Sequence, residues 1–207
     1  MILRTFMPPL TMPIYSFNTF VPVVHPTAFV HETAVIIGDV IIGPSCYIGP
    51  CAVIRGDWGR ITLEEGCNVQ ENCVVHMFPG KHIVLEQGAH VGHGAIIHGA
   101  HLGKNCLVGM NAVVMDGAKV GANCIVGALS LVKAEEIIPD QHLFAGNPGK
   151  VIRALADDQV QWKTEGTALY QQLPAECRAS LLPVEPLTEM EEDRPHHTAN
   201  YQPWKKA

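Results

Sequence analysis

The sequence predicts an all-β parallel solenoid, a β-helix, followed by a C-terminal α-helix. Three observations support this: an aliphatic residue every six positions, a small residue four places after most of them, and the loss of both patterns after Pro139. A period of six fits neither the 3.6-residue period of a helix nor the two-residue period of an ordinary strand. It fits short strands joined by tight corners, where each coil buries its inner face only by stacking on the next.

The aliphatic repeat defines the successive coils. It runs through Val24, Val30, Ile36, Ile42, Ile48 and Ile54, then Leu63, Val69 and Val75, then Leu85, Val91 and Ile97, and from Leu102 every six residues to Val132. Gly often follows the aliphatic residue directly, and we expect it to relax the backbone near the corners. Two segments, residues 55–60 and 77–82, break the repeat and are expected to emerge as loops on the flank.

The chain divides into four segments. Residues 1–13 are expected to be an N-terminal tail without the features of a signal peptide, and residues 14–140 form the β-helix domain. Residues 141–182 form a C-terminal helical segment, with one helix from Asp157 to about Gln172 and a second, shorter one after Pro174. Residues 183–207 are rich in Pro, Glu and His and are expected to be a flexible tail.

Composition excludes several classes of partner and compartment. The 207 residues carry a formal net charge of -6, which argues against nucleic acid and anionic membranes, and no apolar run is long enough to span a bilayer. Seven cysteines without a C-x-x-C pair indicate reduced thiols and a cytoplasmic protein. Five of these cysteines fall in the small inward position of the repeat, so we expect them to pack in the core: Cys46, Cys67, Cys73, Cys106 and Cys124.

The repeat brings two histidines together. His76 follows Val75 and His98 follows Ile97, so both occupy the same place on adjacent coils, about 4.8 Å apart. Two imidazoles at that spacing can bind one Zn²⁺. His93 lies around a corner on another face, and we expect it to reach the metal from a neighbouring copy related by threefold symmetry. The remaining histidines, including His90, are expected on the surface.

Several motifs resemble a known family. They are R-G-D-W at 55–58, N-V-Q-E-N at 68–72, V-H at 75–76, G-H-G-A-I-I-H-G at 92–99 and A-G-N-P-G-K at 145–150. Together they resemble the γ-class carbonic anhydrases and related hexapeptide-repeat proteins over about residues 14–182. Three more motifs, F-P-G at 78–80, G-M-N-A-V-V-M-D-G at 109–117 and the run from Trp162 to Tyr170, resemble the PaaY and CaiE branch, and PaaY, a protein of phenylacetate degradation, in particular.

The resemblance implies a left-handed β-helix and a homotrimer, with metal bound by His76 and His98 of one chain and His93 of the next. Zn²⁺ is the expected cofactor, with Fe²⁺ or Co²⁺ as alternatives. The resemblance also implies four further site residues. Arg55 and Asp57 match an interface ion pair that is either catalytic or trimer-stabilising, Gln70 matches a residue that hydrogen-bonds metal-bound water or substrate, and Glu71 stands where the family usually has Asp. Tyr170, on the expected C-terminal helix, either lines the site or packs in the core.

Three imidazoles with one open coordination position are typical of catalytic zinc, which lowers the pKa of bound water and supplies hydroxide. The loop at 77–82 contains no carboxylate of the kind that relays protons in carbonic anhydrases. An apolar loop beside the metal suits an organic substrate, so we expect a metal-dependent hydrolase. The resemblance to PaaY implies that it is a CoA thioesterase of aromatic catabolism acting on an acyl-CoA. Three alternatives remain open: a carbonic anhydrase interconverting CO2 and bicarbonate, an acyltransferase without metal, and a non-enzymatic protein with a structural metal.

Overall fold

A computed structural model describes residues 13–196 and 201–204 and shows a parallel β-helix of about seven turns with one C-terminal helix. The predicted fold class is therefore confirmed. Residues 1–12, most of the expected N-terminal tail, lie outside these ranges. Within the described ranges, no helix is both long and apolar enough to cross a membrane.

Most strands are two or three residues long, as the tight corners require. In chain order they are β1 (Ile14–Tyr15), β2 (Val23–Val24), β3 (Phe29–Val30), β4 (Val35–Ile42), β5 (Tyr47–Ile48), β6 (Val53–Leu63), β7 (Asn68–Val69), β8 (Val74–His76), β9 (His82–Leu85), β10 (His90–Val91), β11 (Ile96–His98), β12 (His101–Leu102), β13 (Leu107–Val108), β14 (Val113–Val114), β15 (Lys119–Val120), β16 (Ile125–Val126), β17 (Leu131–Val132), β18 (Ile137–Ile138), β19 (His142–Gly146) and β20 (Gly149–Ala154). One helix, α1 (Asp157–Ser180), comes after them.

The strands form three faces around one core. One face is an eight-stranded sheet that runs from β3 through β5, β7, β10, β13 and β16 to β19 and β20. The other two faces belong to one twelve-stranded sheet, because the long strands β4 and β6 continue around the corner between them. Parallel neighbours pair in the predicted register; for example, Ile97 lies between Val75 and Val114.

The two interruptions of the repeat behave differently. Residues 55–60, expected as a loop, instead prolong β6, since Gly56 pairs with Gly38 of β4 and Arg60 pairs with His82 of β9. The prediction of a loop was wrong here because the insertion finds backbone partners on both sides. Residues 77–81 carry no strand assignment, and β9 begins at His82.

The interior contains the residues that the repeat predicts. The aliphatic positions from Ile36 to Ile138 are almost fully buried, with Ile54, Val75 and Ile97 at 0% exposure. The five cysteines of the small inward position are also at 0% exposure, which confirms that they pack in the core.

The glycines that come directly after the aliphatic residues have a different role from the one expected. They are not the left-handed corner residues; those lie two places further on, as at Gly94 (φ 70) and Asn111 (φ 55). Gly109 instead permits close stacking, because a Cβ there would lie 2.6 Å from the backbone nitrogen of Ala128 in the next coil. Coil spacing, and not corner geometry, requires glycine at this position.

The C-terminal segment differs from the prediction in two ways. Residues 142–154 are not helical but form the hairpin of β19 and β20, in which Phe144 is fully buried and caps the core. The two expected helices are a single helix that continues through Pro174. Its last turns stay in line because Arg178 donates hydrogen bonds to the carbonyl oxygens of Thr27 and Ala28 in the first coil.

Candidate active site

His76 and His98 stand side by side on adjacent coils. They are paired in register on β8 and β11, which confirms the predicted stacking. The Nδ1 atom of His76 lies 3.4 Å from the Nε2 atom of His98, and the ring centroids are 5.4 Å apart. The six-residue repeat therefore places two imidazole nitrogens close together on the surface of the solenoid.

A carboxylate holds the far nitrogen of each ring. Asp57 Oδ1 lies 3.0 Å from His76 Nε2, and both oxygens of Asp116 lie 2.9 Å from His98 Nδ1. A carboxylate accepts the ring proton on the nitrogen that it contacts, so the other nitrogen of each neutral ring is left with its lone pair. Sequence reasoning missed Asp116, although its place two residues after Val114, in the coil that stacks on His98, was a usable signal.

The two lone pairs therefore point toward each other, an arrangement that calls for a cation or a shared proton between them. Two nitrogens bound to one tetrahedral ion with bonds of about 2.0–2.1 Å lie roughly 3.4 Å apart, which fits the observed separation of 3.4 Å. The donor set fits Zn²⁺, Fe²⁺ or Co²⁺. Among the described residues of this single chain, no group of three or more His, Cys, Asp or Glu side chains could hold a metal.

The electrostatics of the pair favour neutral histidine beside ionised aspartate. Burial lowers the pKa of His76, although Asp57 acts in the opposite direction. Burial by itself would raise the pKa of Asp57, but hydrogen bonds from His76 and Arg55 outweigh it and lower this pKa. Arg55 donates to Asp57 Oδ2 at 2.5 Å, so the predicted ion pair is present within one chain.

Two aromatic rings flank the histidines. The Trp58 ring lies 5.1 Å from that of His76, and the Phe78 ring lies edge-on to His98 at 5.2 Å. About half of each aromatic side chain remains exposed. Both come from the segments that interrupt the repeat, so these insertions surround the pair with apolar walls.

The other predicted residues lie on a different face. Gln70, Glu71 and His93 belong to coils around the corner, beside β7 and β10 of the eight-stranded sheet. Glu71 contacts His93 Nδ1 through Oε2, and Tyr47 donates to Glu71 Oε1 at 3.1 Å. One chain therefore holds two separate groups: the histidine pair with Arg55, and this second group.

Helix α1 covers the second group. Tyr170 packs edge-on against His90 with the ring centroids 4.8 Å apart, and Gln70 donates from Nε2 to Asn68 Oδ1 and His90 Nε2. The expectation that His90 lies on the surface was wrong, because the helix packs over it; burial lowers its pKa to about 3 and keeps it neutral. Both amide protons of Gln70 are used, so its Oε1 is the atom available to a ligand.

A cavity of about 560 Å³ opens between α1 and the eight-stranded sheet. Gln70, His93 and Tyr170 line it together with apolar side chains such as Leu107 and Ile125. The structure thus places three of the sequence-predicted site residues in one pocket, and supports a pocket-lining position for Tyr170.

Comparison with known proteins identifies the repeat. Residues 22–56 and 99–134 match the profile of the bacterial transferase hexapeptide family, which is described as six repeats. The carnitine operon protein CaiE of Escherichia coli O157:H7 is 47% identical over 184 residues, which cover 89% of this chain and 94% of that protein. This relative supports the CaiE side of the expected branch and gives no support to PaaY or to a carbonic anhydrase.

Two solved structures share the fold at moderate identity. A hexapeptide transferase family protein from Anaplasma phagocytophilum is 33% identical with a TM-score of 0.76, covering 80% of this chain and 98% of that one. A proposed acetyltransferase from Bacillus cereus is 32% identical with a TM-score of 0.79, covering 80% and 96%. Because both cover four fifths of this chain, the similarity extends beyond the β-helix domain.

Proposed function

This chain belongs to the hexapeptide-repeat transferase family, alongside the CaiE proteins, and we propose that it is an enzyme acting on acyl-CoA thioesters at the His76–His98 pair. The observation that carries the proposal is that His76 Nδ1 and His98 Nε2 face each other at 3.4 Å, each with its lone pair free. A carboxylate holds the opposite nitrogen of each ring. An arrangement of this kind prepares a site for a metal ion or a transferred proton, and it has no evident use in packing.

His76, His98 and His93 of a neighbouring copy would hold the metal in a homotrimer. Supporting this, Val74 and Ile96 beside the pair are paired on neighbouring parallel strands and are more than a third exposed, an apolar surface suited to another copy. When bound, such a metal lowers the pKa of water and polarises a carbonyl oxygen.

The chain's own residues orient and shield the reacting groups. Asp57 and Asp116 fix the ring tautomers, and Arg55 keeps Asp57 ionised, so the facing nitrogens stay unprotonated. Trp58 and Phe78 restrict water at the sides of the pair. Gln70 Oε1, on the copy that contributes His93, would accept a hydrogen bond from the attacking nucleophile, and Tyr170 would line the approach.

Two acyl acceptors are compatible with this site. In hydrolysis, a water oxygen bonds to the thioester carbonyl carbon, the carbon–sulfur bond breaks, and CoA leaves with a proton. In acyl transfer, the acceptor is an amine or hydroxyl; the family match and the acetyltransferase relative favour this alternative over the zinc hydrolase. The neutral His76 beside Asp57 could then serve as the general base without metal.

One experiment separates these functions. The purified protein, as isolated, chelator-treated and reloaded with Zn²⁺ or Fe²⁺, is assayed for CoA release from an acyl-CoA panel, with and without amine acceptors. Loss on chelation and recovery on reloading, without need for an acceptor, supports the metal-dependent hydrolase. Acceptor-dependent release that survives chelation supports transfer.

The matched variants are His98→Ala and His101→Ala, since His101 also pairs with a carboxylate, Glu86, on the next face. His98→Ala should abolish the metal-dependent activity, His76→Ala should abolish either activity, and His101→Ala should abolish neither. Full CoA release by His76→Ala would contradict the assignment of the pair. Stopped-flow CO2 hydration on the same samples tests the carbonic anhydrase alternative, for which the comparisons give no support.

A further inference from the structure

The cavity beneath α1 has the properties of a binding site for an apolar group. Its floor combines Leu107 and Ile125 with the backbone of Gly92 and Gly109. Its roof is α1, through Trp162 and Leu169. A volume of about 560 Å³ lies within the range of small-molecule sites, which are mostly apolar with a few polar groups.

The cavity has a few polar groups. Gln70, His90 and His93 line it, and burial holds His90 neutral. Lys163 lines it as well, with its Nζ donating to Asn105 Oδ1. A ligand whose polar group faces Gln70 and His93 would therefore extend its apolar part between Leu107 and the helix.

A short C-terminal segment supplies another wall. Trp162 Nε1 donates to the carbonyl oxygen of Gln202 at 2.8 Å, and its ring stacks on Tyr201 at 5.7 Å and meets Trp204 edge-on at 5.9 Å. Tyr201 lines the cavity. Its ring fits there because residue 166 is glycine, where a Cβ would lie 2.6 Å from the Tyr201 hydroxyl.

We infer that this cavity binds the acyl part of the substrate, a bulky apolar acyl group, and that Tyr201 forms a specificity-determining wall. The inference rests on the proposed function, since it takes the thioester carbonyl to lie at the Gln70–His93 end. It goes further in naming the acyl class: a short polar acyl group leaves the apolar walls uncovered, whereas a ring or branched chain covers them.

The test measures binding, so that it does not depend on turnover. Calorimetry on the full chain compares two CoA thioethers that cannot be cleaved, phenacyl-CoA and acetonyl-CoA, which differ in a phenyl against a methyl group. The wild type should bind phenacyl-CoA about tenfold more tightly, as burial of one aromatic ring predicts. Leu107→Trp, which fills the cavity, should abolish this preference.

Two further variants address the wall. Tyr201→Ala removes it directly, and Gly166→Ala displaces the Tyr201 ring while favouring the helix, so both should reduce the preference about threefold or more. Tyr15→Ala, at an exposed tyrosine on β1, should retain the wild-type preference. The inference is overturned if the wild type shows no preference, if neither thioether binds, or if Leu107→Trp keeps the preference.

The outcome is separable from that of the proposed function. Selective phenacyl-CoA binding without CoA release from any thioester would leave the cavity assignment in place and reject the thioester reaction. Release of CoA by a protein that binds both thioethers equally would support the thioester reaction and reject the cavity assignment.

Discussion

The carboxylates that contact the far ring nitrogens distinguish the histidine pair from an ordinary surface cluster. His98 is positioned by both oxygens of Asp116, and His76 by one oxygen of Asp57, whose other oxygen is occupied by Arg55. Each ring is thereby locked in one tautomer, and the two facing nitrogens would need no rearrangement to bind a metal ion. The site therefore depends on the hydrogen bonds that orient the two imidazole rings.

Asp116→Asn should therefore weaken metal binding while leaving the fold intact. The amide can donate to His98 Nδ1 and would favour the wrong tautomer, so we expect a loss of about 10–100-fold in metal affinity. Competition with a chromophoric chelator measures it. Glu86→Gln, which alters the analogous pair with His101, is the control and should keep the wild-type affinity; equal affinities in both variants would contradict the role of Asp116.

Lys163 gives a prediction about pH. It lies on the buried side of α1 with its Nζ 2.6 Å from Asn105 Oδ1, and burial lowers its pKa from the ordinary 10.5 to about 8. Between these values the unfolded chain holds a proton that the folded chain has released, so stability rises with pH. Below pH 8 both states are protonated and the cost of burying the charge is constant.

Lys163→Met removes this dependence. The free energy of unfolding of the wild type, relative to the variant, should rise by roughly 3 kcal/mol between pH 7 and 10.5. Urea unfolding at several pH values measures the difference. Parallel pH profiles for the two proteins would show that Lys163 titrates normally.

At the scale of elements, the first insertion is held against the second by backbone contact. Gly59 of β6 lies so close to Lys81 that a Cβ would overlap the Lys81 carbonyl oxygen. Trp58, beside His76, is next to this contact. The pairing of β6 with β9 thus sets the wall of the site as well as the sheet.

Gly59→Ala should cost more than Gly80→Ala in the same region. Gly80 has φ 73 and nothing within 4 Å of an added Cβ, so its substitution should cost only about 1 kcal/mol of backbone strain. Gly59→Ala must push β6 away from the backbone of Lys81 and should cost about 2–4 kcal/mol, in the range of other backbone and packing disruptions. Urea denaturation compares the two variants; equal stabilities would mean that these segments separate without loss.

At the scale of the whole molecule, the two groups of predicted residues face different directions in one chain. The histidine pair is on the twelve-stranded sheet, whereas Gln70 follows β7 and His93 lies in the turn after β10, two strands of the eight-stranded sheet. A cyclic assembly would bring the first group of one copy to the second group of the next. Assembly would then complete the site and place the cavity under α1 beside it.

Subunit complementation tests this arrangement. His76→Ala and His93→Ala should each lose tight metal binding, but a mixed trimer contains one interface in which both residues are intact. Co-refolding the two variants should therefore restore up to one metal per mixed trimer, measured by mass spectrometry of the intact assembly. No recovery in mixed trimers, or metal retained by His93→Ala alone, would exclude a shared site.

The sequence by itself determined the coil register, because a six-residue period is a local property that stacking propagates. The sequence predicted that His76 lies beside His98, that five cysteines pack in the core and that a helix follows the solenoid. It did not determine where interruptions go: β6 runs through residues 55–60 because Gly38 and His82 offer backbone partners far away in the chain.

Only the tertiary structure decided what surrounds the site. Asp116 of one coil contacts His98 of the coil before it, and His90 is partly covered by a helix about 80 residues later in the chain. The Tyr201 ring fits against α1 because residue 166 has no side chain. Periodicity specifies which side chains point inward. Contacts made by outward side chains depend on which distant segment packs against them, and no local pattern encodes that.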